Sequence, residues 1–310
     1  MVKFIVLEKK KIYKLLFLII ILILSLIIAL SNLLKKDYLD SFILSTIHNF
    51  NDKDYDGDGT IDSIVIDKKN SHYLIKVKTF KNEYLLKNEL YGESLIDLND
   101  SVSLKITSLD LSRDNIPELI LYGFKNQKPI YYIFKWCDGD FKEVFSSSKN
   151  IFGIIDSVNS RTPKILYTHS EKGDESTESF TFNGKEIKDI TFSKPQIPGL
   201  SIIQKFIDLI QLTYEIENAP NIFSEYINSD ELGILWNLSK ENYRYSFQSG
   251  YFYDINWNEN PLPTSIIWRL SFEKVNLYDT SKPKEEITFT VKTDINNYGE
   301  YNISSIKKEN

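Results

Sequence analysis

The residues with the clearest chemistry are Asp54, Asp56, Asp58 and Asp62, at positions 1, 3, 5 and 9 of the run Asp54-Tyr55-Asp56-Gly57-Asp58-Gly59-Thr60-Ile61-Asp62. Carboxylates packed this closely repel one another unless a cation sits among them. Ca²⁺ takes about six to eight hard oxygens at roughly 2.3–2.6 Å, and a tight acidic turn supplies them. Gly59 at position 6 permits the sharp turn. The Thr60 carbonyl offers an oxygen at position 7, and Asp62 closes the set from the start of a strand, Ser63-Ile64-Val65-Ile66. A helix–loop–helix calcium site would want an acid at position 12, where this chain has Val65. The competing reading is an acidic surface turn without metal.

A second run, Asp110-Leu111-Ser112-Arg113-Asp114-Asn115-Ile116-Pro117-Glu118, keeps side-chain oxygens on Asp110, Ser112, Asp114 and Glu118. Ile116 would supply the backbone carbonyl, and Asn115 replaces the glycine, tolerating the left-handed conformation better than most residues. With one carboxylate fewer, this loop is expected to bind more weakly, against the alternative of a purely structural turn. A third run, Asp156-Ser157-Val158-Asn159-Ser160-Arg161-Thr162-Pro163-Lys164, has Val158 at position 3 and Lys164 at position 9. An ammonium in place of a carboxylate predicts no metal there.

Each run precedes an apolar strand and then a hairpin. Leu74–Val77 turns through Lys81-Asn82 into Tyr84–Leu86, and Tyr131–Trp136 turns through Asp138-Gly139 toward Phe141 and Val144. Phe180–Phe182 turns through Asn183-Gly184 toward Ile187. Asp-Gly and Asn-Gly between such runs signal tight hairpins. Three units starting near Asp54, Asp110 and Asp156 suggest an internal repeat over residues 50–190. The combination of an Asp-rich nine-residue loop, an apolar strand and a hairpin resembles the FG-GAP or VCBS-type repeats. That resemblance implies blades of an integrin-like β-propeller with calcium in the loops. Three units are fewer than the four to eight blades of a closed propeller, so a partial propeller-like β-repeat domain is expected.

Around these loops the chain has 310 residues, enough for two cored domains. Residues 15–34 carry no charge and are long enough to span a bilayer. Lys3, Lys9, Lys10, Lys11 and Lys14 precede them, which predicts an N-terminal transmembrane helix with residues 37–310 outside the cell. An uncleaved signal anchor and a signal peptide cut near Ala29 or Ser31 both fit, and cleavage would make the protein secreted. Residues 37–310 hold 30 Lys and Arg against 42 Asp and Glu, a net −12 that disfavours nucleic acid as a partner. The one cysteine, Cys137, excludes an intrachain disulfide and multi-thiolate metal sites. A disulfide-free exported protein suits a Gram-positive bacterium.

The stretch from Ser193 to Gly199 reads as a linker, after which Ile203, Phe206, Ile207, Ile210 and Tyr214 recur at helical spacing. Short helices are expected near Asn221–Ile227 and Asp230–Leu238, then strands over Tyr243–Tyr253, Ser265–Leu277, Glu286–Lys292 and Tyr301–Ile306. The expected domains are thus 1–36 (cytoplasmic stub and transmembrane anchor), 37–192 (β-repeat) and 199–310 (α+β). The last loosely resembles the NTF2-like or cystatin-like cone folds. Trp236, Tyr243, Tyr245, Phe252, Trp257 and Trp268 would either line a pocket there or fill its core.

None of the three histidines, His48, His72 and His169, lies in the C-terminal region, and no nucleophile elbow, phosphate loop or dinucleotide fingerprint occurs. The expectation is a non-enzymatic, membrane-anchored, extracytoplasmic calcium-binding module that engages an envelope protein or glycan. The alternative is a small-ligand sensor or hydrolase using a C-terminal pocket.

Overall fold

The computed structural model describes residues 45–46, 53–99, 102–156, 162–184, 186–213, 220–258, 262–279 and 281–309. These belong to one compact unit, Ser45–Asn310. In chain order the first strands are β1 (Ser45–Thr46), β2 (Ser63–Lys69), β3 (His72–Lys78), β4 (Glu83–Leu85), β5 (Ile96–Asp97) and β6 (Lys105–Leu109). Next come β7 (Glu118–Lys125), β8 (Lys128–Cys137), β9 (Asp140–Ser147), β10 (Ile151–Ile155), β11 (Lys164–Thr168), β12 (Glu178–Asn183) and β13 (Glu186–Asp189). Helices α1 (Leu200–Gln211) and α2 (Ser229–Trp236) follow. Four long strands finish the chain: β14 (Tyr243–Trp257), β15 (Pro263–Asn276), β16 (Glu285–Ile295) and β17 (Tyr301–Lys308).

The strands form three sheets. One orders β1-β6-β7-β8-β9, one groups β2, β3, β4 and β5, and an eight-stranded sheet orders β13-β12-β11-β10-β14-β15-β16-β17. The five-stranded sheet is the middle layer. Its Leu119, Leu121, Tyr132 and Phe134 share a core with Tyr73, Ile75 and Val77 of β3. The alternate side chains face the other way, as strand pleating requires. Tyr131 stacks on Phe152 of β10 with ring centroids 4.8 Å apart, and its hydroxyl donates to the Gly250 carbonyl of β14. Lys105 of β6 crosses the same interface, donating to Ser271 of β15 and Glu286 of β16. Middle strands covered on both faces should be apolar throughout, and β7 is buried over its first seven residues.

Helix α1 covers the far face of the eight-stranded sheet. Ile203, Phe206, Ile207 and Ile210 pack on Phe252, Trp268, Phe272 and Phe289. Phe206 meets Phe289 edge to face at 6.1 Å, a geometry aromatic pairs prefer. Of the aromatics considered for a pocket, Phe252, Trp268 and Tyr245 are buried in this core, whereas Trp236 is exposed.

This arrangement corrects the expected fold class. A partial propeller-like domain followed by a separate α+β domain does not describe it. The described residues are mostly strand, with two α-helices, and β10 pairs in parallel with β14 from Ile151↔Gly250 to Ile154↔Tyr253. Strands from either side of the expected linker therefore lie in one sheet. A loop-and-hairpin pattern is local and leaves open which edge each hairpin joins. The segment expected as a helix at Asn221–Ile227 is instead extended where Phe223 bridges Ile303 on the edge strand β17. Among the described residues no helix is long and apolar enough to cross a membrane. Residues 15–34, on which the transmembrane expectation stood, lie outside the described residues, so the membrane assignment is not carried further.

Candidate metal centre

The loop Asp54–Asp62, loop 1, enters β2 at one end of the small sheet. Lys53 and Asp62 bridge across its base, with the Asp62 N–H donating to the Lys53 carbonyl at 2.8 Å. Inside the turn Asp54 accepts from the backbone: Oδ1 from Gly57 at 2.6 Å, Oδ2 from Gly59 at 2.7 Å. Asp58 Oδ1 accepts from the Thr60 N–H at 2.9 Å. Asp62 Oδ2 accepts from the Tyr55 N–H at 2.7 Å. Gly57 and Gly59 have φ of 74° and 88°, the left-handed region glycine enters without cost. Tyr55 is the anchor: its fully buried ring sits in the shared core beside β3 and the middle sheet.

These bonds aim the acids inward. One carboxylate oxygen from each of Asp54, Asp56 and Asp58 lies within 4.8 Å of the others. Below them Asp62 is 2% exposed, and its Oδ1 has no hydrogen-bond partner. Burial, and then the Asp56 and Asp54 charges, push its carboxyl above the ordinary range despite backbone bonds from Tyr55 and Asp56. An unpartnered buried carboxylate oxygen beside three converging acids is costly. Carboxylate oxygens are the ligand type a hard divalent cation takes, and three of the four acids, Asp54, Asp56 and Asp58, converge here, with Asp62 outside that group.

The run Asp110–Glu118, loop 2, leads into β7 with the same framework. Asp110 accepts from the N–H groups of Asp114 and Asn115, at 3.2 and 3.0 Å. Asp114 Oδ1 accepts from Ile116 at 3.0 Å, and Glu118 Oε2 from Leu111 at 2.6 Å. Arg113 and Asn115 have φ of 60° and 68°, matching the left-handed Gly57 and Gly59 of loop 1. Leu111 is buried as Tyr55 is. The two loops touch, since a β-carbon on Gly57 would come within 2.6 Å of Ile116 Cδ1. Of the third run, Asp156 accepts from Arg113 of loop 2 at 3.4 Å, and residues 157–161 lie outside the described residues.

Loop 2 differs in what fills it. The Lys135 ammonium, from β8, donates to Ser112 Oγ, to Asp114 Oδ2 at 2.7 Å and to Glu118 Oε1 at 2.7 Å. These are the oxygens at positions 3, 5 and 9, three of the five expected metal ligands. The Lys135 side chain is 4% exposed and Glu118 is fully buried. Burial alone would lower the Lys135 pKa, but the bonds to Asp114 and Glu118 and their charges carry it above its ordinary value. The motif reading missed this residue. Its signal was a lysine between Phe134 and Trp136, inside the apolar and aromatic run from Ile130 to Trp136, where a buried cation needs partners.

An open groove of about 970 Å³ lies elsewhere, beside the β16–β17 hairpin, with Tyr226 and Tyr298 at its rim. No protein-family model matches the chain. No curated protein matches it either.

Proposed function

We propose that this chain is a calcium-dependent β-sheet binding module that works outside the cytoplasm, with its cation held by Asp54, Asp56, Asp58, the Thr60 carbonyl and Asp62. The observation that carries this reading is the buried, unpartnered Asp62 Oδ1 in the same loop as three converging carboxylates. A cation there would tie the exposed turn to Tyr55 and the two-sheet core. External modules with such loops hold Ca²⁺ at about 10⁻⁴–10⁻³ M, which only a calcium-rich compartment saturates. The acidic excess of residues 37–310 points the same way, away from nucleic acid and toward a protein or glycan partner.

The test is thermal unfolding of the full chain in millimolar Ca²⁺ and in chelator. In ~1 mM Ca²⁺ at that affinity, ligation adds about 0.4–1.4 kcal/mol, so the melting temperature should rise with Ca²⁺ and the rise should vanish in Asp58→Ala. A melting temperature indifferent to both conditions would remove the proposal. The competing small-ligand reading would use the groove between Tyr226 and Tyr298, which are 92% and 90% exposed.

A further inference from the structure

Loops 1 and 2 share a hydrogen-bond framework, and one position separates them. In the small sheet Ser63 pairs with Lys78, and in the middle sheet Leu119 pairs with Phe134. Asp62 and Thr79 are the next residues beyond the Ser63–Lys78 pair, as Glu118 and Lys135 are beyond Leu119–Phe134, and there Lys135 bonds Glu118 directly. Thr79 is a buried, neutral residue whose hydroxyl bonds locally with Asn82. Lys135 reaches from the equivalent place to the oxygens of positions 3, 5 and 9. An ammonium offers one positive charge and three donors, enough for those three oxygens.

We propose that Lys135 is a tethered cation standing where a divalent metal would otherwise sit in loop 2, and that the residue facing the ninth loop position selects between metal and ammonium. Thr79 leaves loop 1 open to Ca²⁺, and Lys135 closes loop 2. Loop 2 is then a latent metal site that holds its fold at any calcium concentration. The half of this inference that concerns Thr79 rests on the calcium reading of loop 1, whereas the half that concerns Lys135 does not.

The experiment is calorimetric Ca²⁺ titration of the full chain in five forms: wild type, Asp58→Ala, Asp58→Ala/Asp114→Asn, Asp58→Ala/Lys135→Thr, and that last variant with Asp114→Asn. The expected result is no binding in Asp58→Ala. One site with Kd near 10⁻⁴–10⁻³ M should appear when Lys135→Thr is added, and Asp114→Asn should remove it. A Lys135→Thr chain that folds only when Ca²⁺ is present gives the same support. A folded Asp58→Ala/Lys135→Thr chain that binds no Ca²⁺ overturns the inference. So does an Asp58→Ala chain, with Lys135 intact, that still binds Ca²⁺ in a manner abolished by Asp114→Asn, and this arm does not depend on the lysine variant folding. If the wild type binds nothing while the Asp58→Ala/Lys135→Thr form binds one ion, loop 1 has failed and the latent site of loop 2 stands.

Discussion

Loops 1 and 2 fold alike and differ in charge balance. In both, position 1 accepts the backbone N–H groups of positions 5 and 6, position 5 accepts from position 7, and position 9 accepts from position 2. The position 2 side chains, Tyr55 and Leu111, are buried. Loop 2 brings its cation from β8, whereas in loop 1 the carboxylates of Asp54, Asp56 and Asp58 converge with no ammonium bonded among them. Backbone geometry in such a turn is therefore set by side-chain-to-backbone hydrogen bonds, and the filling of its centre is a separate choice made by a neighbouring strand.

The comparison can be broken most forcefully at Lys135. Lys135→Met leaves Glu118, fully buried, without its counter-charge, and losing one partner of a buried pair costs about 3–5 kcal/mol. Chemical denaturation in chelator should show that loss, and a change under ~1 kcal/mol would mean the ammonium is not integral to loop 2. In loop 1 the equivalent change has the opposite sign. Asp62→Asn keeps an acceptor for the Tyr55 N–H but removes a buried charge that has no counter-ion. The metal-free protein should gain about 1 kcal/mol and lose its response to Ca²⁺, while Glu118→Gln in loop 2 should destabilise with or without Ca²⁺.

Smaller effects sharpen the contrast. Gly57→Ala meets Ile116 Cδ1 and a φ of 74°, so it should cost about 1 kcal/mol, and pairing it with Ile116→Ala should recover part of that. The pH profile gives a weaker signature. Lys135 has a folded-state pKa above its unfolded value of 10.5, so its contribution is complete below pH 10.5 and fades as pH rises through the folded value. Wild-type stability should keep the Lys135 contribution unchanged from pH 6 to 9 and lose it only in stronger alkali.

What the sequence made legible was local. The Asp-rich spacing located both loops, and Asp138-Gly139 located the β8–β9 hairpin, where φ of 54° and 81° suit a tight turn. The four C-terminal strands follow from their β-branched and aromatic runs, and α1 from its helical period. Long-range pairing was not legible. The β10–β14 ladder joins residues separated by some hundred positions, and no short window shows that Ile151 will lie beside Gly250. The Asn221–Ile227 segment has enough apolar residues for a helical turn, yet Phe223 is drawn to the open edge of β17, where backbone groups await partners. The candidate site divides the same way. The carboxylates of loop 1 lie within nine consecutive residues, whereas the ammonium of loop 2 arrives from 17 residues beyond Glu118, across a sheet register that must be known first.

The most direct measurement is anomalous difference density from crystals of the full chain grown with Tb³⁺, a hard, oxygen-seeking stand-in for Ca²⁺. One peak among Asp54, Asp56, Asp58 and Asp62, with Lys135 still bonded to Ser112, Asp114 and Glu118, is the predicted result. A peak in loop 2 with Lys135 displaced, or no peak in loop 1, would contradict the account.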